Sequence, residues 1–315
     1  MTEKVINEQG ATARRAMSRR DMLKLSGGTI AGVAFLGLTG CGGAGSSGSK
    51  SLTLGNIGWD ENVAVSHLTK ILLEEDLGYK SVDLSTLDVG LLLDGVANGD
   101  LDSFQDVWLP KTHATYWEKY KDEVVDLGQW YKGAANLGLG VPDYVGAQSI
   151  ADLNKYRSQF GVEIVGIEPG SGIMSITKDD VIPGYGLDYE LIASSTAVML
   201  AEIKRAIDDK RPIVFTAWKP HWMFTAYPIR YLEDPKNLYG GNEHLTAIAR
   251  EGLKDEMPDA YAFLDKLTLT EAQLGKLELM INNAKSPEEG VRAWLKNNRD
   301  VVKPWVDAAK KAQKT

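Results

Sequence analysis

The stretch SLTLGNIGWDENVAVSHLTKILLEEDLGY, residues 51–79, decides the fold class of this chain. It opens with a short apolar segment typical of a β-strand, turns at a glycine, and continues with apolar residues at helical spacing. SVDLSTLDV, residues 81–89, predicts a second strand, and GLLLDGVANGD, residues 90–100, predicts a short helix. LDSFQDVW, residues 101–108, predicts a third strand that ends at Pro110. This alternation of strands and helices is typical of an α/β layered fold.

The same alternation resumes in the second half of the chain. Glycine and proline residues near 137–145 suit a crossing between two lobes. VEIVGIEPGSGIMSIT, residues 162–177, and RPIVFTAWKPHW, residues 211–222, each predict a strand that ends in a loop. Between them a helix is predicted from about Glu190 or Ser195 to Asp208. The chain from about residue 242 is predicted to be mostly helical, and residues 270–273 and 286–289 carry helix-capping signatures.

The N-terminus has the pattern of an export signal. SRRDMLKLSGG, residues 18–28, places paired arginines before an apolar stretch, residues 25–40, which is shorter than the roughly 20 residues that span a bilayer. The stretch ends in LTGC at Cys41, and together these features resemble a twin-arginine signal joined to a bacterial lipoprotein signal. We expect a signal peptide over 1–40, lipidation of Cys41, and a flexible Gly/Ser-rich tether over 41–50. The alternative is a short anchor with an incidental core cysteine.

Charge and cysteine content exclude several classes of protein. The chain has 35 Lys and Arg against 43 Asp and Glu, a formal net charge of -8. Residues 1–40 hold six of the basic and three of the acidic residues, so 29 against 40 remain and the mature part is near -11. This balance argues against nucleic acid as a partner. Cys41 is the only cysteine, which excludes a disulfide within the chain.

Enzyme and metal motifs are absent from the sequence. There is no nucleophile elbow, no H-E-x-x-H, no P-loop and no cysteine pair for zinc, and the four histidines are scattered. The sequence therefore predicts no catalytic residues, no metal and no cofactor. A lipid-anchored hydrolase is the alternative from a different class, and turnover of esters, amides or glycosides would distinguish it.

Tryptophans stand at the ends of three predicted strands. Trp59 follows the first strand, Trp108 ends the third, and Trp218 ends PIVFTAW. Ligands of α/β sheets bind at the carboxyl ends of strands, so three indoles there are expected to converge on one crevice. Core packing is the alternative for any single tryptophan, because the residue is bulky and usually mostly buried.

A glycine-rich turn adds a candidate anion site. EPGSGIM, residues 168–174, follows a predicted strand, and its glycines would let backbone N–H groups approach an anion at a helix start. A plain tight turn is the alternative. Indole faces attract a quaternary ammonium group, which donates no hydrogen bonds, so the two features together suit a small zwitterion.

Six separated blocks of the sequence resemble one family. GNIGWDENVAV, GDLDSFQDVWLPKTH, YWEKY, VGIEPGSGIMSIT, PIVFTAWKPHWMF and YLEDPKNLYG are similar to the substrate-binding lipoproteins of glycine betaine and proline betaine ABC importers, the OpuAC/ProX-type family. The likeness runs from about residue 52 to about residue 298. It implies a two-lobed periplasmic-binding-protein-like α/β fold of type II, with the ligand in the interlobe cleft. Lobe 1 is expected over 51–141 plus 241–315 and lobe 2 over 142–240.

The resemblance also implies the roles of individual residues. The ammonium cage would be formed by Trp59, Trp108 and Trp218. The ligand carboxylate would be held by backbone N–H groups of Gly172 and Ile173 and by His113. Trp222 and His221 are expected to support the site structurally.

The function implied by the resemblance is transport without catalysis. The protein is expected to be a monomeric receptor on the outer face of the cytoplasmic membrane, held there by the lipid on Cys41. It would bind glycine betaine or proline betaine and deliver it to an ABC permease driven by an ATPase, for osmoprotectant uptake. The same fold tuned for choline, carnitine or ectoine is the nearest alternative.

Overall fold

A computed structural model describes residues 50–314, which fold around two five-stranded sheets. The predicted signal peptide, Cys41 and nearly all of the predicted tether lie outside the described residues. None of the helices in the described range is both long and apolar enough to span a bilayer.

The strands are β1 (Ser51–Asn56), β2 (Ser81–Thr86), β3 (Ser103–Leu109), β4 (Val124–Gln129), β5 (Tyr131–Lys132), β6 (Asn136–Pro142), β7 (Glu163–Val165), β8 (Glu190–Ile192), β9 (Phe215–Lys219), β10 (Ile229–Tyr231), β11 (His244–Arg250) and β12 (Leu269–Thr270). The α-helices are α1 (Asp60–Leu77), α2 (Val89–Ala97), α3 (Ala114–Tyr120), α4 (Arg157–Phe160), α5 (Gly172–Ile176), α6 (Ile182–Tyr185), α7 (Thr196–Asp208), α8 (Met223–Ala226), α9 (Leu253–Glu256), α10 (Pro258–Lys266), α11 (Glu271–Asn282), α12 (Pro287–Leu295) and α13 (Arg299–Ala312). A 3₁₀ helix covers Ile150–Tyr156 and a π-helix covers Thr177–Val181.

The first sheet has the strand order β2-β1-β3-β11-β4, and we call the part built on it the first lobe. Strands β1, β2 and β3 are parallel, with Ser51 opposite Ser81, as the alternation of strands and helices predicts. Strand β11 runs antiparallel between β3 and β4. It lies at the start of the C-terminal part that the sequence predicts to be mostly helical, and the sequence did not predict this strand. Residues 244–250 form it because six of these seven residues are buried within the sheet.

The second sheet has the order β10-β6-β9-β7-β8, and the part built on it is the second lobe. Strands β7, β8 and β9 are parallel, whereas β6 is antiparallel to both β9 and β10. Strand β6 therefore occupies most of the stretch near residues 137–145 where a crossing was expected. We propose lobe boundaries that follow this pairing, before β6 and before β11, so that the first boundary falls a few residues earlier than the 141/142 expected from sequence.

Both predicted helix-capping signatures are present in the C-terminal part. The Thr270 hydroxyl accepts the Gln273 N–H, and the Gln273 side chain accepts the Thr270 N–H in return, which starts α11. The Ser286 hydroxyl accepts the Glu289 N–H and starts α12. Helices α11 and α12 pack on α1, and so join the C-terminal part to the first lobe.

We predict that Gly290→Ala destabilises this packing. A Cβ on Gly290 would lie 2.5 Å from the Ile281 Cα, a backbone atom of α11 that cannot rotate away. Overpacking of this kind costs about 1–3 kcal/mol of unfolding free energy, which urea unfolding would measure. Gly275→Ala is the matched control, because its Cβ meets nothing within 4 Å and Ala favours a helix interior by about 0.5–1 kcal/mol. Equal stability of the two variants would contradict the close approach.

Candidate functional site

A small cavity of about 250 Å³ lies between the two lobes, at the carboxyl ends of β1 and β3. Four of the residues predicted from sequence line it: Trp59, Trp108 and Trp218, together with Ile173. The three indoles come from three separate elements and line the same cavity.

Trp59 is positioned by a tight turn between β1 and α1. Gly58 has a φ of 87°, a left-handed conformation that residues with a Cβ rarely adopt. The Asn62 carboxamide oxygen accepts the Ile57 N–H at 2.8 Å and holds the turn against the first turn of α1. Trp59 occupies the N-cap position of α1, and its buried Nε1 has no hydrogen-bond partner among the described residues. The turn thus presents the indole to the cavity without using its N–H.

Trp108 and His113 are joined by a reciprocal pair of hydrogen bonds. The Trp108 N–H donates to Nδ1 of His113, and the His113 N–H donates to the Trp108 carbonyl, both at 3.0 Å. Strand β3 ends between them, at Leu109, so the five-residue offset closes a compact turn. The ring of His113 lies 5.8 Å from the ring of Trp59. His113 therefore stands directly behind the cage.

His113 is a neutral imidazole with one free donor. Complete burial lowers the pKa of His113 to about 3, so it carries no charge at neutral pH. Nδ1 accepts the Trp108 N–H, which places the ring proton on Nε2. Nε2 is buried and has no partner among the described residues. A buried donor without an acceptor costs free energy, and an anion beside it would remove that cost.

Gly172 and Thr112 bring the two lobes into contact beside the cavity. A Cβ on Gly172 would lie 2.4 Å from Cγ2 and 2.5 Å from the carbonyl oxygen of Thr112, so only glycine fits here. The buried Glu243 carboxylate holds the turn of β3 in place by accepting the N–H groups of Lys111 and Thr112, at 3.0 and 2.8 Å. Gly172 and Ile173 start α5, and the first N–H groups of a helix have no intrahelical acceptor.

Trp218 is held by a carboxyl group from the other lobe. It lies in β9 opposite Leu137 of β6, a residue that also lines the cavity. Its Nε1 donates to Oε2 of Glu61 in α1 at 3.0 Å. Glu61 is completely buried, lines the cavity, and has no hydrogen-bond partner for Oε1 among the described residues. The third indole is thus fixed by an acid of the first lobe.

Glu61 belongs to a buried group of three carboxyls behind the cage. Burial, with the nearby carboxyls of Asp106 and Glu278, raises the pKa of Glu61 well above its usual range. Burial also raises the pKa of Asp106, although its Oδ1 accepts the Trp108 Nε1–H at 3.1 Å. Burial and the neighbouring acids raise the pKa of Glu278 in the same way. Within residues 50–314 no group of acids, histidines or cysteines is arranged to hold a metal ion.

His221 and Trp222 lie next to the cage and outside its lining. The Trp222 Nε1–H donates to Oδ1 of Asp60 at 2.6 Å, and His221 Nε2 lies 3.1 Å from Oδ2 of the same carboxylate. The ring of His221 packs edge-on against the ring of Trp218, at 4.7 Å. The supporting role expected for both residues remains a prediction.

Four lining residues were missed by sequence reasoning: Glu61, Thr112, Leu137 and Ile167. Glu61 carried a detectable signal, since it precedes Val65, Leu68 and Leu72 on the buried face of α1, where an acid is out of place. Leu137 carried none, because only the pairing of β6 with β9 brings it to Trp218.

Comparison with known proteins assigns the family. The sequence profile of OpuAC, the substrate-binding domain of the ABC-type glycine betaine transport system, matches residues 50–297. The chain belongs to the OpuAC family. Members of this family are substrate-binding domains of transporters rather than enzymes. The predicted family and the two-lobed α/β fold are confirmed.

Individual OpuAC-family relatives agree with this assignment. The chain is 43% identical over 156 residues to the glycine betaine/carnitine transport binding protein GbuC of Listeria monocytogenes, a match that spans 49% of this chain and about half (52%) of that protein. It resembles the structure of lactococcal OpuAC, closed with glycine betaine, at 38% identity and a TM-score of 0.75, over 82% of this chain and 99% of the other. A choline-binding protein in complex with choline matches at 25% identity and a TM-score of 0.73, over 83% and 97%.

We predict that Glu278→Gln stabilises the protein, and more so at pH 8 than at pH 5. The pKa of Glu278 is raised in the folded state, so folding is favoured below the unfolded pKa and that contribution is lost as pH rises through the folded pKa. Removing the charge should raise the unfolding free energy at pH 8 by about 1–3 kcal/mol, the usual desolvation cost of a poorly satisfied buried polar group. Urea unfolding at the two pH values measures the difference. A variant less stable than wild type at pH 8 would contradict it.

Proposed function

We propose that this protein is the extracytoplasmic receptor of an ABC importer and binds glycine betaine or proline betaine. The observation that carries the proposal is the meeting of Trp59, Trp108 and Trp218 at one small cavity between the lobes. A trimethylammonium group donates no hydrogen bonds and is attracted to the negative faces of indole rings. Each ring contributes about 0.5–2 kcal/mol when water is excluded.

The donors beside the cage supply the rest of the affinity. Three rings give roughly 2–6 kcal/mol, whereas a micromolar complex needs about 8 kcal/mol. We propose that the ligand carboxylate accepts the N–H groups of Gly172 and Ile173 and the Nε2–H of His113. Support comes from the unpartnered Nε2 and from the position of the two N–H groups at a helix start. A ligand held this way touches both lobes, so occupancy stabilises the closed state that the permease recognises.

The membrane location rests on the N-terminal sequence. We propose that the twin-arginine motif exports the protein, that Cys41 is acylated, and that the Gly/Ser-rich tether leaves the lobes free to move at the outer face of the cytoplasmic membrane. Its partners there are the permease and the ATPase of the importer, and the receptor acts as a monomer.

Choline is the second candidate ligand. It shares the quaternary ammonium group, and a choline-binding protein of known structure is among the similar chains. Choline lacks a carboxylate, however, and would leave the N–H groups of Gly172, Ile173 and His113 without an anion. We therefore expect choline to bind more weakly than the betaines.

Titration calorimetry tests the function directly. Glycine betaine and proline betaine are expected to bind with micromolar or tighter affinity, and choline about tenfold or more weakly, because buried donors would lose their acceptor. Tight binding of choline with no response to either betaine would overturn the preference. Absence of binding to all three would overturn the proposed function.

A second prediction concerns His113 alone. His113→Ala should weaken glycine betaine binding by about tenfold, because it removes one hydrogen bond to a charged acceptor, and should weaken choline binding much less. Calorimetry with both ligands on the same variant measures the ratio. Equal losses for the two ligands would show that His113 serves only to close the turn at Trp108.

A further inference from the structure

Two consecutive acids in the first turn of α1 reach across the cleft. Asp60 and Glu61 follow Trp59 directly, and their carboxyls accept hydrogen bonds from residues of the second lobe. Glu61 accepts the Nε1–H of Trp218, and Asp60 accepts the Nε1–H of Trp222. One turn of helix therefore contacts both tryptophans of the segment 218–222.

The rings of the contacted segment pack on one another. The ring of His221 lies 4.7 Å from the ring of Trp218, at 84°, and 5.5 Å from the ring of Trp222. His221 Nε2 is also 3.1 Å from the Asp60 carboxylate. Asp60 thus fixes the residues that buttress Trp218, whereas Glu61 fixes Trp218 itself.

We propose that Glu61, assisted by Asp60, is a positioning residue that sets the third wall of the cage by hydrogen-bonding the Trp218 indole across the cleft. Trp59 and Trp108 already stand in the first lobe, so the cage is complete only when Trp218 is brought to them. The Glu61 bond exists only while the lobes are together. Placement of the last indole is in this way tied to closure.

The burial of Glu61 supports a positioning role. Helix α1 presents Val65, Leu68 and Leu72 on the same buried face, and an apolar residue at position 61 would pack there without the cost of a buried carboxyl. The two other acids close to it, Asp106 and Glu278, increase that cost. What an apolar residue cannot supply is an acceptor for the buried Trp218 N–H.

The inference rests on the proposed function, and its test compares two substitutions of Glu61. The amide oxygen of Glu61→Gln can still accept the Trp218 N–H, whereas Glu61→Ala leaves that donor without a partner. Calorimetry should show about tenfold or greater loss of glycine betaine affinity for Glu61→Ala and about threefold or less for Glu61→Gln. Glu75→Ala, on the exposed side of the same helix, is the matched control and should bind as wild type does.

A spectroscopic measurement separates positioning from general stability. In ¹⁵N-tryptophan-labelled protein, hydrogen exchange of the Trp218 indole N–H, assigned by its disappearance in Trp218→Phe, should be slow in wild type and in Glu61→Gln. It should become at least about tenfold faster in Glu61→Ala. If Glu61→Ala does not fold, two other variants test the proposal. Asp60→Asn keeps an oxygen that can accept the Trp222 N–H, and Trp218→Phe removes the indole donor. Under the proposal Asp60→Asn costs affinity less than Trp218→Phe, and adding Glu61→Gln to Trp218→Phe costs nothing more.

Failure of this inference is distinguishable from failure of the proposed function. Wild-type calorimetry with glycine betaine, proline betaine and choline tests the function alone. The variants are compared with whichever of these ligands wild type binds, and indole exchange is recorded with that ligand bound, because the Glu61 bond requires the lobes to be together. Equal affinity loss in Glu61→Gln and Glu61→Ala, or unchanged exchange in Glu61→Ala, would overturn the positioning role.

Discussion

The constraint on which the site depends is the need of buried indole N–H groups for acceptors. Trp108, Trp218 and Trp222 each donate to a carboxyl group, and the three acceptors Asp106, Glu61 and Asp60 all belong to the first lobe. A buried indole N–H without such an acceptor is costly, and among the cage tryptophans only Trp59 carries that cost, because its buried Nε1 has no partner among the described residues. Burying the acids raises the pKa of Glu61 and Asp106, because desolvation disfavours their charged forms. Burying the carboxyls therefore costs free energy, but their hydrogen bonds satisfy the indole N–H groups and fix the orientation of the rings.

Two features of the fold position these groups. The parallel strands β1 and β3 end at the same edge of the first sheet, with Trp59 in the turn after β1 and Trp108 next to last in β3. In the second lobe the pairing of β6 with β9 presents Trp218 toward that edge. Gly172 then allows the lobes to approach beside the cavity, because a side chain there would strike Thr112.

The site offers a ligand two kinds of contact. Its indole faces attract a cation. Near these rings lie two kinds of hydrogen-bond donor, the unpartnered Nε2–H of the neutral His113 and the first N–H groups of helix α5. Under the proposed function a small zwitterion would engage both the rings and these donors, whereas a simple cation would engage the rings alone. This difference in the number of contacts is why we rank betaines above choline as the proposed ligands.

Local sequence determined the strands and helices of the first half, the capping of α11 and α12, and the position of each tryptophan at a strand end, because periodicity, caps and glycine turns act within a few residues. The strand β11, the role of β6 in the second sheet and the cavity-lining Leu137 arise from pairing between distant segments. Glu61 could have been noticed as an acid on an apolar helix face, but its partner could not. Only the tertiary structure brings α1 and β9 together. Local sequence patterns cannot predict a hydrogen bond between residues that are 157 positions apart in the chain.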